Sequence, residues 1–290
     1  MIILAFQDSL PQAKQLSEQL SVPCKTILLH SFPDGESKIT LPVELADHVV
    51  LFRTLNQPNE KLIELLLVAR ELRRRSVKWL TLVAPYLCYM RQDKEFEPGE
   101  LVSQKLLGGM LSEQFDDLIT VDPHLHRIKR LEEAIPVKNA ISLTATGLFG
   151  DYLLKEGNNP FLLGPDEESK QWVEEIAVNA GLEYGVAKKE RYGDRDVSIH
   201  LPEVSVSGRH VVLIDDVAST AKTLMGAVDK LKAAGVGEVS VLVSHALFAG
   251  DSEQALRDLG VSKIASSDSI PHATNSVQLA PIIAEAVRRL

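Results

Sequence analysis

The stretch His210–Met225, HVVLIDDVASTAKTLM, decides the fold. An apolar run, Val211–Ile214, is followed by two aspartates, a small hydroxyl-rich segment and a helical pattern. An uninterrupted apolar run bounded by turn residues is expected of a strand buried on both faces of a parallel sheet. The loop leaving the carboxyl end of such a strand meets the first turn of a helix. There the N–H groups lack acceptors and the helix dipole favours an anion. Asp215 and Asp216 stand just ahead of that anion site, where sugar hydroxyls or a magnesium ion would find carboxylates. The plainer reading is an ordinary strand–turn–helix, since Asp and Ser start helices well. No Gly-x-x-x-x-Gly-Lys-Ser/Thr pattern occurs, so a nucleotide P-loop is excluded even though Lys222 precedes Thr223.

Outward from this stretch, strand-like and helix-like patterns alternate. Ile2–Phe6, Thr26–His30, Lys38–Leu41, His48–Phe52, Trp79–Ala84 and Leu118–Val121 read as strands. Leu10–Leu20, capped by Ser9 with Pro11 in its first turn, Asn59–Arg74 and Leu101–Ser112 read as helices. A second set follows Ile135–Ser142. Strands are expected at Pro160–Leu163, Glu183–Val186, Asp196–His200, Val211–Ile214, Val239–Ser244 and Lys263–Ala265. Helices are expected at Glu167–Ala180, Thr220–Ala234, Asp251–Leu259 and Ala280–Leu290. This is the alternation of an α/β protein with mostly parallel sheets flanked by helices. A length of 290 residues suggests two domains. The similar order of elements puts them at 1–140 and 141–279, with the C-terminal helix 280–290 having the option of packing back on the first.

Composition narrows the class. Hydrophobic residues at 45% with charged residues at 24% are ordinary for a globular protein with substantial cores. A net charge of −9 gives no general attraction for nucleic acid or anionic membrane. The basic run Arg70–Lys78 reads as cations at a helix C-terminus. No apolar run reaches the length of a membrane span, and MIILAFQDSL lacks the basic segment of a secretory signal. Cys24 and Cys88 fit neither a disulfide framework nor a zinc site, so a reducing cytoplasm is expected.

Five further segments carry polar chemistry. Phe32–Glu36, FPDGE, is turn chemistry for a hairpin. Pro85–Glu100, PYLCYMRQDKEFEPGE, follows a buried strand and brings Arg91, Gln92 and Asp93 to a loop, where α/β domains place ligand groups. Val121–Arg127, VDPHLHR, sets His124 and His126 beyond another strand without a zinc signature. Asp166 in GPDEE stands at a helix N-cap position, which capping alone would explain. Lys188–Arg195, KKERYGDR, reads either as a charged hairpin or as a mobile flap carrying cations to a polyphosphate.

In this order the segments resemble the ribose-phosphate diphosphokinases, also called phosphoribosyl pyrophosphate synthetases. The resemblance runs from FPDGE to the final helix, and FEPGE after RQDK is closer to the shorter archaeal-type members. It implies two phosphoribosyltransferase-like domains and transfer of the β,γ-diphosphate of ATP to the anomeric hydroxyl of ribose 5-phosphate, with AMP leaving. It further implies Mg²⁺ held by His124 and Asp166, and catalytic cations Lys189 and Arg191. The ATP side would use Phe32, Asp34, Glu36, Arg91, Gln92, Asp93 and His124. Ribose 5-phosphate would be held by Asp215, Asp216, Ser219, Thr220, Ala221, Lys222 and Thr223. In the family FPDGE comes from a neighbouring subunit, which implies a homo-oligomer, a dimer or a multiple of dimers.

The resemblance is broken in places. The family loop commonly ends Thr-x-Gly-Thr, whereas this chain has Thr220-Ala221-Lys222-Thr223. Ser219 stands where many members carry Asp, and Pro123 replaces an apolar residue. Two other functions stay open on the residues: a phosphoribosyltransferase, which would share the Asp215–Thr223 loop, and a catalytically silent nucleotide-binding partner or regulator of the same fold.

Overall fold

The first strand, β1 (Ile2–Phe6), is apolar and buried at every position, as a strand covered on both faces must be. In the computed structural model it begins a unit formed by Met1–Leu143 with Leu279–Leu290; Thr144–Gln278 form a second. The structure describes residues 1–125, 127–192 and 196–290, with the backbone alone at 189–192 and 196–199.

In the first unit β1 is followed by α1 (Leu10–Leu20), β2 (Cys24–Ser31), β3 (Ser37–Thr40), β4 (His48–Phe52) and α2 (Pro58–Arg74). Then come β5 (Trp79–Val83), α3 (Ser103–Ser112), β6 (Asp117–Val121) and β7 (Asn139–Leu143). The sheet runs β3-β2-β1-β4-β5-β6-β7. All its pairs are parallel except the β2–β3 hairpin. Leu4, Leu51, Leu65, Leu82 and Leu111 are fully buried in its core, each worth about 1.5–3 kcal/mol of burial.

The second unit has α4 (Thr146–Glu156), β8 (Phe161–Gly164), α5 (Lys170–Ala180), β9 (Tyr184–Val186), β10 (Lys188–Tyr192) and β11 (Asp196–His200). It continues with β12 (His210–Ala218), α6 (Lys222–Ala233), β13 (Glu238–Ala246), α7 (Ser252–Asp258), β14 (Lys263–Ser267) and β15 (Asn275–Val277). Its main sheet is parallel throughout, in the order β15-β14-β13-β12-β8-β9. β10 and β11 form a separate antiparallel pair. The last helix, α8 (Ala280–Arg288), packs on α1, where Arg288 donates to the carbonyl of Gln19.

Several elements depart from the periodicity. β12 runs through both aspartates to Ala218, because β13 continues alongside it to Ala246. Ser9 does not cap α1 with its side chain. Its hydroxyl accepts from the Thr54 amide at 3.1 Å, tying the ends of β1 and β4 together. α4 has no counterpart in the sequence reading, and KKERY is a strand paired antiparallel with Asp196–His200, in keeping with the hairpin alternative. Both cysteines are unpaired, and burial pushes the Cys88 thiol up to about 12, so it stays a neutral core group. No helix among the described residues is long and apolar enough to cross a membrane.

Gly108 on α3 allows one close approach. A Cβ there would lie 1.8 Å from the Ala134 carbonyl oxygen. Backbone cannot yield as a side chain does, so Gly108→Ala should lower the unfolding free energy by about 1–3 kcal/mol. A urea titration of the purified variant checks it, and an unchanged midpoint would mean the contact relaxes without cost.

Candidate active site

In open parallel sheets ligands bind beyond the carboxyl ends of the strands, where successive connections turn in opposite directions. In the second unit that point lies between β8 and β12. The chain leaves β8 outward toward β9, and leaves β12 the other way toward β13. Asp166 follows β8, and the aspartate pair with its loop ends β12. The topology therefore gathers these acidic groups and the start of α6 at one crevice.

The loop between β12 and α6 is short and anchored. The Ala218 carbonyl accepts from the amides of Leu247 and Phe248 at 3.1 and 2.8 Å. The Ser219 carbonyl accepts from the Ala249 amide and the Ser252 hydroxyl, both at 3.0 Å. No side chain caps α6, and the amides of Thr220, Ala221 and Lys222 have no acceptor among the described residues. Ala221 is left-handed, φ +55°, which costs an L-residue about 1–2 kcal/mol. Lys222 opens the helix, exposed and without an ion-pair partner among the described residues. A cation there opposes the helix dipole by about 0.3–1 kcal/mol. Two local rules are thus broken side by side, both where an anion would sit.

Asp216 is buried and Asp215 half-buried. The Asp215 carboxyl is held well above its ordinary range, first by burial, then by the charges of Asp216 and Asp166. Asp166 does cap its own turn, accepting from the amides of Glu168 and Ser169 at 3.1 and 3.4 Å. Its role as a cap and its negative field at Asp215 coexist.

In the first unit, Phe32–Glu36 form the exposed tip of the β2–β3 hairpin. The Phe32 amide donates to the Glu36 carbonyl at 2.8 Å, and the Glu36 amide to Asp34 Oδ1 at 3.2 Å. Gly35 supplies the left-handed residue, φ +90°. Arg91 is exposed beyond β5. Gln92 is held by Glu100, whose carboxylate also accepts from the amides of Phe96 and Glu97. These bonds, led by that from Glu97, hold the Glu100 carboxyl below its usual range. Asp93 has a buried side chain paired with Arg127, and its Oδ2 is buried without a hydrogen-bond partner among the described residues. His124 is half-buried beyond β6. His126 lies outside the described residues, as do the side chains of Lys189 and Arg191. Their backbone occupies alternate positions of β10, opposite Ile199 and Val197.

Sequence reasoning treated Asp93 as a polar loop residue and missed its burial. The partner that buries it stands 34 positions away, and no local pattern signals that. Among the described residues no three His, Cys, Asp or Glu side chains form a closed metal cage. A magnesium ion bound mainly through phosphates needs only one or two carboxylates. The acids around Asp215 fit it, because a cation would offset the burial and then the neighbouring charges that raise that carboxyl.

Comparison with known proteins gives two successive family matches. Residues 1–114 match the N-terminal domain of ribose phosphate pyrophosphokinase, and residues 133–281 match the phosphoribosyl transferase domain. A Methanopyrus kandleri protein named ribose-phosphate pyrophosphokinase is 32% identical over 293 residues, spanning 100% of this chain and 99% of its own. A Saccharolobus solfataricus protein of the same name is 34% identical over 265 residues, 89% of each. The crystal structure of phosphoribosylpyrophosphate synthetase from Mycobacterium smegmatis shares the fold, with a TM-score of 0.82 at 21% identity over 99% of this chain and 97% of its own.

Proposed function

Because the chain belongs to the ribose-phosphate pyrophosphokinase family, we propose that it is an enzyme joining ATP to ribose 5-phosphate. The anomeric hydroxyl oxygen bonds to the β-phosphorus of ATP, the bond from that phosphorus to the α,β-bridging oxygen breaks, and AMP leaves carrying that oxygen. The hydroxyl proton passes to solvent. The observation that best supports this reading is the crevice between β8 and β12, where an open helix N-terminus adjoins paired acids.

In this reading the amides of 220–222, with Ser219, Thr220 and Thr223, take the 5-phosphate. Asp215 and Asp216 orient the ribose hydroxyls. Arg91, Gln92 and Asp93 hold ATP together with His124, and Phe32, Asp34 and Glu36 read the adenine on a neighbouring copy. The buried orphan oxygen of Asp93 is suited to a donor or cation arriving with the nucleotide. Lys189 and Arg191 meet the charge that develops on the transferred group. His124 and Asp166 are the proposed protein ligands of Mg²⁺, which when bound neutralises polyphosphate charge. A cytoplasmic homo-oligomer, a dimer or a multiple of dimers, belongs to the same proposal.

The direct test is AMP release by the purified protein with ATP, Mg²⁺ and ribose 5-phosphate, each omitted in turn. AMP formed only with all three, with the matching sugar diphosphate, supports the reading. No AMP from folded protein would favour the silent relative, and sugar diphosphate consumed with a free base would favour a phosphoribosyltransferase.

Lys222 gives a narrower expectation. Lys222→Ala should raise the KM for ribose 5-phosphate about tenfold at low salt, through loss of a charge-assisted contact. The KM for ATP should stay put, and the difference should shrink as salt is added. Equal KM values at low salt would remove Lys222 from the sugar site.

A further inference from the structure

We infer that a buried polar strut, Ser37–Glu64–Arg53, sets the position of the Phe32–Glu36 hairpin and thereby its affinity for nucleotide; this rests on the adenine reading of that hairpin. The tip is ordered within itself by the turn bonds described above, yet every residue from Phe32 to Glu36 is exposed. Phe32 meets His30 edge to face, with 5.1 Å between ring centres. Beside the hairpin lie cavities of about 500 and 540 Å³, and Glu64 lines both. Apolar packing thus holds the strands, where the paired Leu29 and Ile39 rest on the core, and leaves the exposed tip to other contacts.

What crosses this gap is one short polar chain. Ser37, the first residue after the tip, donates its hydroxyl to Glu64 Oε1 at 2.6 Å. Glu64 is 7% exposed on α2. Its other oxygen accepts from Arg53 Nη2 at 2.6 Å. Arg53 directly follows β4 and is 3% exposed. Its guanidinium lies 3.8 Å from the Phe6 ring centre and donates to the Lys61 carbonyl at 3.1 Å. Asp8 sits 3.5 Å from Arg53 Nε and 3.0 Å from Lys61 Nζ, closing the charge network. A buried carboxylate needs such a cation, and a carboxylate so fixed is a rigid anchor. The hairpin is thus fastened to the sheet floor through a side chain it does not itself contain. Ser37 and Glu64 are positioning residues, acting on nucleotide only through the hairpin.

The test uses Ser37→Ala, which removes the hydroxyl from a half-buried site, and Ser37→Thr, which restores it. Glu64→Gln is a second probe that keeps the shape. Expected for Ser37→Ala are a melting temperature lower by about a few degrees, unchanged ribose 5-phosphate affinity and MgATP affinity weaker by about fivefold to tenfold. Amide hydrogen exchange at Gly35 and Glu36 should quicken in the ligand-free protein, and Ser37→Thr should reverse both effects. Unchanged exchange, or equal losses for both ligands, would overturn the strut. If the unaltered protein binds neither ligand, the proposed function falls, and hairpin exchange alone still decides whether the strut holds.

Discussion

Alanine at both Lys189 and Arg191 is expected to cut the turnover number by about 10³-fold or more, while either KM moves by less than about tenfold. Diphosphate transfer leaves little covalent work for the protein. What remains is placing the reactants and meeting the charge that spreads over the transferred oxygens. Cations that engage this charge mainly at the transition state affect turnover rather than ground-state binding. Steady-state kinetics with both substrates varied gives the split directly. A double variant that keeps its turnover number would exclude β10 from the chemistry. One that loses KM and turnover together would make it a binding element.

The second large effect concerns Asp215→Asn with Asp216→Asn. Ribose 5-phosphate affinity is expected to fall about 100-fold, from two charged acceptors lost to sugar hydroxyls. MgATP affinity should stay within about twofold, since the nucleotide contacts are assigned elsewhere. Stability should move the opposite way. Burial and neighbouring carboxylates hold the Asp215 carboxyl well above its ordinary range, so its ionised form weakens the fold. A folded-state value above the unfolded one gives a contribution that is intact below the unfolded value, near 3.8, and is lost as pH rises through the folded value. In metal-free buffer the variant should therefore melt a few degrees higher at pH 7, with the gain shrinking toward pH 4. Calorimetry with each ligand, and melting curves at both pH values, check the two halves. Equal loss of both ligands, or a lower melting temperature, would count against the assignment.

The sheet was legible because its strands declare themselves. Val211–Ile214 could be little other than a buried parallel strand, and the same holds for Ile2–Phe6 and His48–Phe52. α4 was not legible. It includes Gly147 and Gly150, poor helix formers, and its reason to be helical is its packing on α5, where Gly150 faces Ala180 at a distance that suits a small residue. The end of β12 was misjudged because two adjacent aspartates look like a turn, whereas pairing with β13 holds them in strand. At the site, residue types and order were readable, and the left-handed backbone of Ala221 was not. A loop's conformation comes from what anchors it, here residues 247–252 across the sheet. Arg53 follows the strand His48–Phe52 with no local signal of its partners, and only the fold brings Glu64 and Asp8 to it.

The placing of α8 against α1 has a consequence for how the chain matures on the ribosome. Residues 144–278 are one unbroken run, so that half can close as soon as it emerges. The half made first lacks one of its own pieces until the end, because 279–290 is translated after the whole of the other. Until then the surface of α1 that receives α8 is bare and open to chaperones or to unwanted association. Fusing a bulky tag beyond Leu290 would thus burden the earliest-made part of the protein.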